Sequence, residues 1–98
     1  MTSASLIGHI TVKDPEKWNS YRERVPSTLK PWGAEIIFRG KCVEVLEGKH
    51  PYSDVVVISF PNKAAIDGWH NSPAYQALIP LRREAAEVVL LACETPPG

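Results

Sequence analysis

At 98 residues, with 44% hydrophobic and 22% charged side chains, the sequence is proportioned for a single domain, residues 1–98 with a core from about 5 to 94, and has no room for a second. Eleven basic and eleven acidic side chains cancel to zero formal charge, which excludes a broad electrostatic pull toward nucleic acid or an anionic membrane. No run approaches the roughly 20 apolar residues that span a bilayer and no basic-then-apolar leader opens the chain, so the expected location is cytoplasmic.

In chain order, the first element is a period-2 strand over residues 5–12, with Leu6, Gly8, Ile10 and Val12 on one face and Ile7, His9 and Thr11 on the other. Apolar residues on both faces suit a strand that packs on helices on one side and on a partner sheet on the other. Asp14-Pro15-Glu16 then reads as a helix start: Asp14 can accept from orphan amides, Pro15 has no N–H to lose, and Glu16 suits the positive end of the helix dipole. Trp18, Tyr21, Val25, Leu29 and Trp32 follow as one apolar stripe, assigned to packing. Pro26 predicts a kink near residues 22–25 or two short helices, and Gly33 predicts the C-cap.

Residues 34–39 and 43–47 are β-rich runs that predict a hairpin across Gly40-Lys41-Cys42, and residues 54–60 predict the most apolar, central strand, ended by Pro61. Asn62 predicts the cap of a second helix, which breaks at Asn71-Ser72, restarts at Ser72-Pro73 and is interrupted again at Pro80. A last strand is expected over 88–93 and a frayed tail over 95–98. Cys42 and Cys93 lack C-x-x-C spacing and are expected to stay reduced.

The fold class that follows is α+β: a ferredoxin-like βαββαβ sandwich with an antiparallel sheet, both helical layers on one face because crossovers are right-handed. In so short a chain the simplest cover for the other face is an identical face, so a homodimer closing a dimeric α/β barrel is expected.

Several motifs in a fixed order carry a resemblance: Asp14-Pro15-Glu16-Lys17-Trp18, Val25-Pro26, Phe38-Arg39-Gly40, Val45-Leu46-Glu47-Gly48, Val57-Ile58-Ser59-Phe60-Pro61, and Ser72-Pro73-Ala74-Tyr75-Gln76 with Leu81-Arg82. From about residue 5 to 94 the chain resembles domain-of-unknown-function family 1330, in the dimeric α/β-barrel superfamily. Lys41 stands where that family often has a second glycine. The superfamily implies the same fold. Its members with similar folds include cofactor-independent monooxygenases acting on aromatic polyketides, muconolactone isomerases, and YCII-like and EthD-like proteins, an analogy of fold that does not carry chemistry.

The candidate catalytic residue is His9, whose imidazole suits acid–base work near neutral pH, the alternative being a histidine satisfied at the sheet or dimer surface. Arg39, sharing pleat parity with Ile37 at a strand end, can grip a carboxylate in a bidentate pair or act as a rim ion-pair former. Trp69, Tyr75 and Arg82 surround the broken helix and are candidates for substrate binding, against the alternative that the aromatics are core. His50 and His70 have no metal-ligand spacing, and no phosphate loop, nucleophile elbow or dinucleotide fingerprint exists, so no metal and no cofactor are expected. Two functional readings follow. The first is a small dimeric enzyme or binder whose pocket between sheet and helices takes a small carboxylated or aromatic organic molecule. The second is a non-catalytic homodimeric interaction module in which the same polar side chains serve the interface.

Overall fold

Alternation along the first strand sets the two faces of the sheet. In the computed structural model, which describes residues 3–95, β1 (Ala4–Val12) buries Ala4, Leu6, Gly8 and Ile10 and leaves Ser5, Ile7, His9 and Thr11 half-exposed on the opposite side. β2 (Glu35–Lys41), β3 (Asp54–Phe60) and β4 (Ala86–Glu94) complete a four-stranded sheet in the order β2-β3-β1-β4, every pair antiparallel. β3 and β1, the inner strands, bury Ile58, Phe60, Leu6 and Ile10 beneath the helices. This is the ferredoxin-like α+β arrangement expected from the element order. Ser3 and Thr95 close its outer end through a backbone bond of 2.9 Å and a hydroxyl pair at 2.7 Å, while residues 96–98 of the expected tail lie outside the described residues.

The helix starts stand where the caps place them. Asp14 accepts from the amides of Glu16 and Lys17 at the head of α1 (Pro15–Leu29), and Asn62 accepts from Ala65 at 2.8 Å at the head of α2 (Lys63–Asn71). Ser72 ends α2 and caps α3 (Pro73–Gln76), so the break expected there is real. Pro80 lies in the first turn of α4 (Ile79–Ala85), where a missing N–H costs nothing; it opens that helix instead of interrupting one.

Two local expectations are corrected. α1 runs unbroken through Pro26, which removes only the amide that would have met the carbonyl of exposed Arg22, and it passes into a 3₁₀ turn (Lys30–Trp32) closed by Gly33 at φ 66°. The hairpin across residues 40–42 does not form. Residues 43–47 lie in the connection 42–53, with Val43 95% and Leu46 89% exposed, because the inner edge of β2 is occupied by β3. That pairing places Ile58 and Phe60 in the core, a burial the run 43–47 has no equivalent for.

Between sheet and helices the largest buried side chains are Trp69, Tyr75 and Phe60, with Tyr21, Val25, Leu29, Ile66 and Ile79 around them. Trp69 donates its indole N–H to the Thr28 hydroxyl at 2.9 Å, and that hydroxyl donates onward to the Val25 carbonyl at 2.6 Å. Thr28→Val keeps the shape and removes the acceptor, leaving a buried N–H unpaired. The expected loss is about 1–3 kcal/mol, read as a lower urea midpoint at unchanged m-value.

Candidate functional site

A register shift in β2 decides what Arg39 can reach. Ile36 pairs with Ile58 and Phe38 with Val57, so Ile37 is the extra residue of a bulge and the pleat changes phase there. Arg39, opposite Val56, therefore shares a face with Ile36 and not with Ile37: it points to the helix side, while Phe38 stays on the open face.

On the helix side lies an apolar cleft walled by Leu6, Ile10, Ile36, Val56 and Ile58 of the sheet and by Trp18, Tyr21, Val25 and Trp69 of the helices. It contains about 590 Å³ of space outside protein atoms, part of it open to solvent. Walled by aromatic and branched side chains, the slot suits a slim molecule such as a planar ring. Arg22, Arg39 and Asp54 supply its charged groups. Among the described residues neither guanidinium has a carboxylate within 4.0 Å, and Asp54 is engaged by the Ser53 hydroxyl at 2.8 Å. Partial burial, and then the charge of Arg22, hold the pKa of Arg39 below its ordinary value. Two like charges beside an apolar slot give its rim a positive character that suits an anion, and Asp54 adds a carboxylate acceptor.

The remaining candidates separate. Trp69 lines the cleft, and its N–H is spent on Thr28. Tyr75 is fully buried behind it, the two rings 4.0 Å apart, and does not line the cleft. Arg82 donates to the Tyr75 hydroxyl at 2.7 Å, and that hydroxyl meets the hydroxyl of Tyr21 at 2.8 Å. Tyr75 and Arg82 therefore reach the cleft only indirectly, through Tyr21 and, for Tyr75, through Trp69.

His9 lies on the other face of the sheet and is not brought together with Arg39. Its Nδ1 is 2.9 Å from Nε2 of His50, whose Nδ1 is 3.1 Å from the carbonyl of Tyr52. A carbonyl only accepts, so neutral His50 carries its proton on Nδ1 and accepts at Nε2 from His9, leaving Nε2 of His9 with a lone pair facing outward. Among the described residues no group of three or more His, Cys, Asp or Glu is disposed to hold a metal ion, and no helix is long and apolar enough to cross a membrane.

The sequence reading placed Trp18 and Tyr21 in the packing and passed over Arg22 and Asp54. The available signal was Arg22, a cation beside Tyr21 and one turn after Trp18, on the edge of an apolar stripe that also carries an interfacial Trp.

Burial, reinforced by Tyr75, raises the pKa of Tyr21 far above its ordinary value of 10.0. The stability Tyr21 contributes is thus complete below about pH 10 and is lost as pH climbs from there toward the folded-state value, at up to about 1.4 kcal/mol per pH unit. In an alkaline titration followed by tyrosinate absorbance, Tyr21 is expected to ionise only with unfolding. Tyr21→Phe is expected to show a shallower loss of stability above about pH 10.

Comparison with known proteins shows the same fold repeatedly. A protein of unknown function from Rhodopseudomonas palustris superposes with TM-score 0.82 at 14% identity, covering 98% of this chain and 84% of that one. SnoaB, a cofactor-independent oxygenase from Streptomyces nogalater, does so with TM-score 0.71 at 11% identity, covering 100% and 97%. A dimeric ferredoxin-like protein of unknown function from Jannaschia sp. CCS1 gives TM-score 0.77 at 11% identity, covering 95% and 99%. No curated protein matches the sequence. These identities establish the fold alone, but a family model, Domain of unknown function (DUF1330), matches residues 3–96, and the chain belongs to that family.

Proposed function

We propose that the protein binds a small organic anion, a carboxylate on a slim or aromatic frame, in the cleft between sheet and helices, without a metal or nucleotide cofactor. The observation that carries this reading is the pair Arg22 and Arg39 beside an apolar slot, with no carboxylate of the described residues within ion-pair distance. Both guanidiniums are exposed and solvated at the rim of the slot, free of a protein carboxylate, and a flat apolar slot with two guanidiniums at hand suits an aromatic or short carboxylic acid. Trp18 and Trp69 would flank the ring, Arg39 and Arg22 would hold the carboxylate, and Asp54 would take a proton from the ligand if a reaction follows. SnoaB, a cofactor-independent oxygenase, shares the fold, which is compatible with a reading that needs no cofactor but does not carry its reaction to this chain. Two exposed free thiols, Cys42 and Cys93, suit a reducing compartment such as the cytoplasm.

The working unit we infer is a homodimer formed through the open sheet face. Ile7, Val57, Val89, Leu91 and Phe38 share that face by register, and Phe38, Leu91 and Val89 are 55%, 44% and 38% exposed. His9, with its outward lone pair, would sit in that interface, away from the cleft, where it could still pass a proton. The dimeric relative from Jannaschia sp. shares the fold and supports this assembly.

Two measurements test these readings. Benzoate and its neutral amide, titrated while tryptophan fluorescence is followed, are expected to separate clearly, the acid binding and the amide not. Arg39→Lys is expected to lose about 10–100-fold in benzoate affinity, the worth of one charge-assisted bidentate contact. Equal affinity for acid and amide contradicts the anion site. Leu91→Asp, a change at a position exposed in the protomer, is expected to reduce the mass in light scattering from twice 10.9 kDa to 10.9 kDa with the helical signal intact.

A further inference from the structure

The buried hydroxyl chain behind the cleft has only one self-consistent direction. Arg82 can only donate, and it donates to the Tyr75 hydroxyl at 2.7 Å. Tyr75 is fully buried, and its one remaining neighbour is the Tyr21 hydroxyl at 2.8 Å. If Tyr21 donated to Tyr75, the proton of Tyr75 would have no acceptor, a buried orphan that the fold avoids. Tyr75 therefore donates to Tyr21. The other polar group near the Tyr21 hydroxyl is Arg82, which can only donate, so among the described residues Tyr21 has no further acceptor, and it is the only member of this chain that lines the cleft. Its own O–H is left to the cleft. Burial keeps that hydroxyl protonated, and the guanidinium two links behind polarises it as a donor.

We propose that the cleft ligand carries a second oxygen, a carbonyl-type acceptor, which receives the hydrogen bond from Tyr21 while the carboxylate is held by Arg39 and Arg22. The ligand class is thus an oxo-substituted organic acid. Tyr75 and Arg82 act as positioning residues that fix the direction of the Tyr21 proton. This inference rests on the cleft being an organic-anion site, and deepens it.

The test compares 3- and 4-acetylbenzoate with the isopropenylbenzoates of the same substitution, in which C=CH₂ replaces C=O at nearly constant shape. In the native protein one acetyl isomer is expected to bind about tenfold more tightly than its isopropenyl counterpart, because the hydrocarbon leaves the Tyr21 donor unpaired. In Tyr21→Phe the ratio is expected to collapse to about one. Benzoates that bind the native protein without an acetyl preference overturn the proposal and leave the anion site standing. A preference that survives in Tyr21→Phe also overturns it. Absence of binding by every benzoate overturns both readings. Should Tyr21→Phe fail to fold, the ratio in the native protein decides alone.

Discussion

Each large aromatic ring buried between helices and sheet brings a polar tip that must find a partner away from water, and satisfying those tips ties the helices together. Trp69 spends its N–H on Thr28, so α2 is fixed against α1 by a directed bond as well as by ring packing. Tyr75 spends its hydroxyl between Arg82 and Tyr21, which joins α3, α4 and α1 in one chain. Since an unmade bond of this kind costs as much as several good ones contribute, these links specify helix positions more sharply than apolar area does.

The cleft and the open sheet face are separated by the pleat. The same alternation that buries Leu6 and Ile10 turns Ile7 and His9 to the other side, so one strand serves two surfaces with different requirements. A single bulge at Ile37 then moves Arg39 from the surface it would share with Ile37 to the one it shares with Ile36. The placement of a second cation at the cleft depends on that one extra residue. Phe38, on the opposite side of the same strand, lies across Gly40, where a Cβ would come within 2.8 Å of the ring. Glycine at that position lets the ring lie flat on the sheet and contributes to an apolar face suited to a second sheet.

Much of the fold was legible because its boundaries rest on local chemistry. Asp14, Asn62 and Ser72 cap the helices they were expected to cap, and Gly33 takes the left-handed conformation that ends the first helical segment. Residues 43–47 were misread because strand propensity records fit to a pleated surface and not the presence of a free partner edge, which a competing strand had taken. The site was less legible. Arg39 was assigned to the face of Ile37 and lies on that of Ile36, since a bulge leaves no mark in a run such as Glu35-Ile36-Ile37-Phe38. Trp18 and Tyr21 pack against the core as expected and line the cleft as well, a second role that an apolar helix stripe does not reveal.

The central claim is that two unpaired arginines and an apolar slot form a receptor for a small organic acid. A crystal structure of the protein grown with benzoate tests it most directly. The account expects the ring between Trp18 and Trp69 and the carboxylate against Arg39 and Arg22. Benzoate bound elsewhere on the protein, with the cleft closed by its own side chains, would contradict it.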